Sequence, residues 1–171
     1  MTDEVGATQD KPDEAEIVRN AKAAIFPFDP SLESLVMYIN LLDTTEVGIT
    51  LHVRGTVISG LLISPRSFYR LLVGRLEKIA EGGEEPTKSG AMGFADFFRM
   101  SLEAQERLRN EYRTNDTLPP RPHHIHLREA SVFVGSGEPL VHPTWRGRLT
   151  EVDGWSFGNF GGPIPPLPDE E

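Results

Sequence analysis

The residues best suited to chemistry sit together at His123-His124-Ile125-His126. On an extended strand alternate side chains share a face, so His124 and His126 would project together. A His-x-His pair presents two imidazoles to an ion such as zinc, which takes three or four protein ligands. His52, His142 or a carboxylate would have to supply a third ligand, and nothing in the spacing singles one out. The competing reading needs no metal: His124, His126 and Arg128 form the polar face of a strand whose Ile125 and Leu127 point inward. That second reading asks less of the chain, so no metal, cofactor or catalytic residue is expected. Arg146 and Arg148 also share a face by alternation and could clamp an anion. Pairing across a sheet with Glu129 and Glu151 would use the same two arginines. Trp145, Trp155, Phe157 and Phe160 could stack on the bases of a single strand. Filling a core is the expected use of these rings.

Other chemistries lack their motifs. There is no glycine-rich phosphate loop, no G-x-S-x-G elbow and no paired acid and base. The 171 residues include no cysteine, which removes disulfides, thiolate catalysis and zinc–thiolate sites. Lys and Arg number 17 against 26 Asp and Glu, for a formal net charge of −9. Gripping nucleic acid by its phosphates needs clustered cations, and no run of basic residues occurs. The N-terminus is acidic rather than basic and then apolar, and no apolar run approaches the ~20 residues that span a bilayer. The expectation is a soluble cytoplasmic protein with no nucleic-acid or membrane partner.

The elements that position these residues follow from periodicity. Residues 1–24 read as a disordered acidic tail, since 1–16 hold six carboxylates and almost nothing large and apolar. A single domain is expected over 25–160. Asp29-Pro30 is a cap-then-proline helix start, and Leu32, Leu35, Val36, Ile39 and Leu42 give a buried stripe over 30–43. Strands follow over 47–64, turning at Arg54-Gly55 and bending at Gly60. A helical insertion is expected over 65–122. Its first helix opens at Ser64-Pro65, with Phe68, Leu71, Leu72, Leu76 and Ile79 apolar. Glu81 to Gly90 reads as a linker. The next helix runs from about Gly93 to Arg113, with Phe94, Phe97, Phe98, Ala104, Leu108 and Tyr112 on its apolar side. Strands resume over 124–160, where Asp153-Gly154 suggests a hairpin turn between Trp145 and Phe160. Residues 161–171 read as a Pro-rich acidic tail.

Two blocks, Val47 to Tyr69 and His124 to Gly158, resemble the gas vesicle accessory protein U (GvpU) family. The resemblance rests on Gly55, Val57 to Gly60 (including Ser59), Ile63-Ser64, Phe68-Tyr69 and Ile125 to Leu127 (including His126). It continues with Trp145-Arg146-Gly147, Val152-Asp153-Gly154, Trp155 and Gly158. It implies a non-enzymatic protein of gas vesicles, the gas-filled protein shells that give microbes buoyancy. Such a protein would assist vesicle assembly or vesicle–vesicle association through contacts with the shell or with other accessory proteins. The order of elements also resembles an Sm-like barrel, which implies edge-strand pairing into a homo-oligomer. The fold class expected is α+β: a small, strongly bent antiparallel sheet or barrel with an N-terminal helix and a helical insertion. Two other readings compete, an Sm-like nucleic-acid-binding module and a metal-dependent enzyme using His124 and His126.

Overall fold

The computed structural model describes residues 29–160 apart from positions 43, 116 and 136. The acidic head, the segment up to residue 28 and the tail from residue 161 lie outside the described residues. Helix α1 (Pro30–Leu41) leads into strands β1 (Val47–Val53) and β2 (Thr56–Leu62). Helices α2 (Pro65–Gly82) and α3 (Thr87–Asn115) follow. Then come β3 (His124–Phe133), β4 (Leu140–Arg148), a 3₁₀ turn at Leu149–Glu151, and β5 (Val152–Phe157). The expected α+β class, N-terminal helix and helical insertion are all present.

Both cap-then-proline starts form. Asp29 accepts hydrogen bonds from the amides of Ser31 and Leu32, and Ser64 accepts one from the amide of Ser67. An N-cap contributes about 1 kcal/mol. Burying Leu32, Val36 and Ile39 against the sheet contributes about 1.5–3 kcal/mol each, so packing and not the cap holds α1 in place. On the sheet side the core is Ile49, Leu51, Ile58, Leu62, Ile125, Leu127, Ala130 and Leu149.

The sheet order is β4-β3-β2-β1-β5, antiparallel throughout. Its two edge strands are consecutive in sequence. A flat sheet of five strands would hold its edges roughly 19 Å apart. The four peptide steps from Arg148 to Val152 reach at most about 14 Å, less when coiled as a 3₁₀ turn. The sheet must therefore curl until its edges approach. One source of the curl is legible at Gly60, where the β2–β3 register shifts between Ser59 and Leu61. A Cβ on Gly60 would stand 3.0 Å from the Arg128 carbonyl oxygen and 3.1 Å from Ala130 Cα, tighter than nearly all real Cβ contacts. The opposing Glu129 takes a positive φ of 51°. Among the described residues β4 and β5 share no ladder, so the curled sheet stays open. A closed Sm-like barrel is not formed.

Several details depart from the sequence reading. Asp153-Gly154 is not a turn: both residues lie inside β5, and Gly154 lacks the positive φ that a tight hairpin requires. The flanking runs pair with different strands, β4 with β3 and β5 with β1, so no hairpin joins them. The break between α2 and α3 is shorter than the expected linker, and α3 starts at Thr87. The buried sides of both helices are also rotated. α2 buries Phe68, Val73 and Ala80, and α3 buries Ala91 and Ala95. Small side chains let the two backbones approach closely, so the larger Phe94 and Phe97 are turned outward.

A basic cleft beside His126 and an apolar helix face

His126 is the motif residue whose surroundings differ most from expectation. Its strand face was expected to meet solvent, but α2 lies across it. Phe68 packs its ring 4.9 Å from the imidazole and Tyr69 packs at 6.4 Å, centroid to centroid. His126 is only 5% exposed, and neither ring nitrogen has a hydrogen-bond partner. Burial, then the charges of Arg146 and His124, lowers its pKa to about 3, so the ring is neutral at physiological pH. His124 is shifted the same way, by burial first and then by Arg146, His123 and Arg148.

His126 lines a cleft of about 750 Å³ that opens between the start of α2, the end of α3 and the beginning of the β3–β4 ribbon. Five arginines line it: Arg66 on α2, Arg109 and Arg113 on α3, Arg121 before β3, and Arg146 on β4. No described lining residue is acidic. Burial, and then the charges of Arg109, Arg70 and Arg113, holds Arg66 below the usual arginine value, with Glu106 acting in the opposite sense. Arg121 lies 3.4 Å from the nearly buried Glu33. The pairs expected for Arg146 and Arg148 are made by other residues: Glu129 joins Arg128 and Glu151 joins Arg54.

His123 and His124 line the same cleft. Neither His52 nor His142 joins them: His52 stands on β1 opposite Gly154, and His142 on β4 opposite Ala130. Among the described residues no group of three or more His, Asp or Glu side chains gathers as metal ligands do.

Apart from Arg146, which lines the cleft, the other motif positions take part in turns, strand ladders and packing. Arg54 and Gly55 make the β1–β2 turn with φ of 48° and 80°. The turn is tied to the neighbouring strand by the Asp153 carboxylate, which accepts the Arg54 amide at 2.6 Å. Gly154 faces His52 across the β1–β5 ladder. Buried Ser59 accepts the Phe160 amide at 2.8 Å, and its hydroxyl oxygen lies 3.2 Å from that of Thr50. Gly158 donates to the Gly48 carbonyl at 2.8 Å and accepts from the Thr50 hydroxyl at 2.9 Å. In Trp145-Arg146-Gly147 the indole lies across Gly147, where any Cβ would intrude into the ring. Trp145 and Trp155 pack on the core as expected, whereas Phe157 and Phe160 remain exposed.

A second surface went unnoticed in the sequence. Phe94, Phe97 and Met100 recur every third residue on α3 and are each more than three-fifths exposed, with Met92 half exposed beside them. Helical spacing predicts burial for Phe94 and Phe97, and the structure turns both outward.

The family description "Gas vesicle protein GvpU-like" matches residues 29–160, from the cap of α1 to the end of the described chain. No curated protein and no solved structure matches the chain. The match takes in the curled sheet, both insertion helices, the cleft and the exposed face of α3. The chain belongs to the GvpU-like family of gas vesicle proteins.

Proposed function

We propose that this protein is a non-enzymatic gas vesicle accessory protein that assists vesicle assembly or vesicle–vesicle association. It acts by protein–protein contact in the cytoplasm, at the vesicle surface. The observation that carries the contact is the exposed apolar face of α3. Phe94, Phe97 and Met100 on one helix face are a costly arrangement to leave in water, and aromatic and Met side chains are enriched at protein interfaces. Membership of a gas vesicle family supports a partner among gas vesicle components, and the reading takes it to be an apolar patch on a shell protein or on another vesicle accessory protein. The organisation that goes with this reading is one domain over 25–160, with acidic tails on either side.

The test is site-specific photo-crosslinking. A photoreactive phenylalanine analogue at position 97 is expected to crosslink to a gas vesicle protein in cells making vesicles. The same analogue at exposed position 107, among the charged residues of α3, is expected not to. Equal crosslinking from both positions, or none from position 97 in folded protein, would overturn the assignment of this face.

A further inference from the structure

The face of the sheet turned away from its core carries a path that the described chain enters but does not complete. Strand pairing sets Ser156, Thr50, Ser59, Ser131 and Val141 side by side in one row running from β5 to β4. The core residues Ile49, Leu51 and Ile58 alternate with this row onto the other face. After β5 the chain turns back along the row. Gly158 donates to the Gly48 carbonyl and accepts from the Thr50 hydroxyl on β1, and Phe160 donates its amide to Ser59 on β2. Asn159 passes so close over Gly48 that a Cβ there would stand 3.1 Å from its side chain. The Phe160 ring reaches β3, with its centroid 4.8 Å from that of Phe133. The described chain ends there, short of β4, with Phe160 63% and Val141 71% exposed.

We infer that residues 161–164 continue along this row as a strap, and that Ile164 seats on the apolar patch made by Phe133, Phe160 and Val141. Length is the first reason. From Ser59 to Val141 is two strand spacings, about 10 Å. The four residue steps from Phe160 to Ile164 reach at most about 14 Å, so Ile164 arrives over Val141 with little slack. Composition is the second. Gly161 and Gly162 bring no side chain to lift the strap off Ser131. Pro163, Pro165 and Pro166 favour an extended backbone, so less freedom is lost on docking than for an ordinary tail. The third reason is tethering. The tail is held at Phe160, which supplies an effective concentration in the millimolar range that an outside segment must match. Seating Ile164 covers the most exposed apolar side chain of edge strand β4, on the kind of edge that otherwise recruits another copy. The same tail reaching over from a second copy is the rival occupant.

The chain has no cysteine, so engineered thiols report without background. The full chain carrying Val141→Cys and Ile164→Cys is equilibrated in a glutathione redox buffer, beside a second full chain carrying His52→Cys and Ile164→Cys. His52 is exposed on the same face of β1, next to the strand that holds Phe160, so an undocked tail meets it at least as readily as position 141. The expected result is an intramolecular disulfide favoured about tenfold or more at position 141 over position 52. Equal formation at the two positions would overturn the inference. Disulfide-linked dimers from the 141 pair would also overturn it, by assigning the patch to the tail of a second copy. A single-thiol measurement keeps the test valid if a double variant misfolds. Alkylation of Val141→Cys by iodoacetamide is expected to be about threefold or more faster when Ile164→Asp is added. An unchanged rate would overturn the inference as well.

Discussion

His126 carries a burial cost that can be measured. In the folded chain its pKa is lowered to about 3, while an unfolded chain protonates near the ordinary value of 6.5. As pH falls below 6.5 the unfolded state gains a proton that the folded state refuses. Stability is therefore fully present above 6.5 and declines towards pH 3, by about 1.4 kcal/mol per pH unit from this group. Urea unfolding at pH 7 and at pH 5 should show the wild-type protein losing about 2 kcal/mol more than His126→Leu. Equal losses would mean that water reaches the ring. Gly147 offers a second test at this scale. Gly147→Val must push the Trp145 indole off the β4 backbone, so the near-ultraviolet circular dichroism of tryptophan should change and stability should fall by about 1–3 kcal/mol. The sequence marked both residues as motif positions without showing why. The reasons are a helix laid over His126 from outside its own strand, and a ring lying across a glycine two residues away.

Among the elements, α2 and α3 decide what the molecule shows its surroundings. Apolar periodicity revealed both helices, and the Asp29-Pro30 and Ser64-Pro65 starts were legible because capping is local chemistry. Which side of each helix is buried was not legible. Phe94 and Phe97 obey helical spacing as well as Ala91 and Ala95 do, and only the mate of α3 decides between them. A triple substitution Phe94→Ser, Phe97→Ser, Met100→Ser should shift the melting temperature by only a few degrees, because exposed positions change stability little. Phe68→Ala, which empties a site between α2 and His126, should cost about 3–5 kcal/mol. Comparable losses in the two variants, measured by thermal melts, would show that the α3 face is core after all. The misread Asp153-Gly154 is the strand counterpart of the same problem. Local turn chemistry cannot reveal that β4 and β5 pair at opposite edges of the sheet.

At the scale of the whole molecule, net charge and local charge point different ways. A formal charge of −9 correctly described the chain but hid the cleft, whose five arginines are scattered between positions 66 and 146. Only the topology gathers them. The acidic head matters at this scale as well. Residues 1–16 carry six carboxylates and one lysine, more than half of the net charge. If that charge keeps vesicle-bound copies apart, salt should promote clustering of coated vesicles as the Debye length falls to about 10 Å near 0.1 M. Deleting residues 1–16 should lower the salt needed for turbid clusters to appear. An unchanged salt dependence would remove the head from the account. The central claim, contact with the vesicle through α3, is tested most directly by flotation. Labelled protein is mixed with isolated gas vesicles and spun gently, so that vesicles rise and free protein stays below. The account predicts that the wild-type protein rises with the vesicles and that the Phe94, Phe97, Met100 triple variant stays below while fully folded. A wild-type protein that stays below, or a variant that rises equally well, would contradict it.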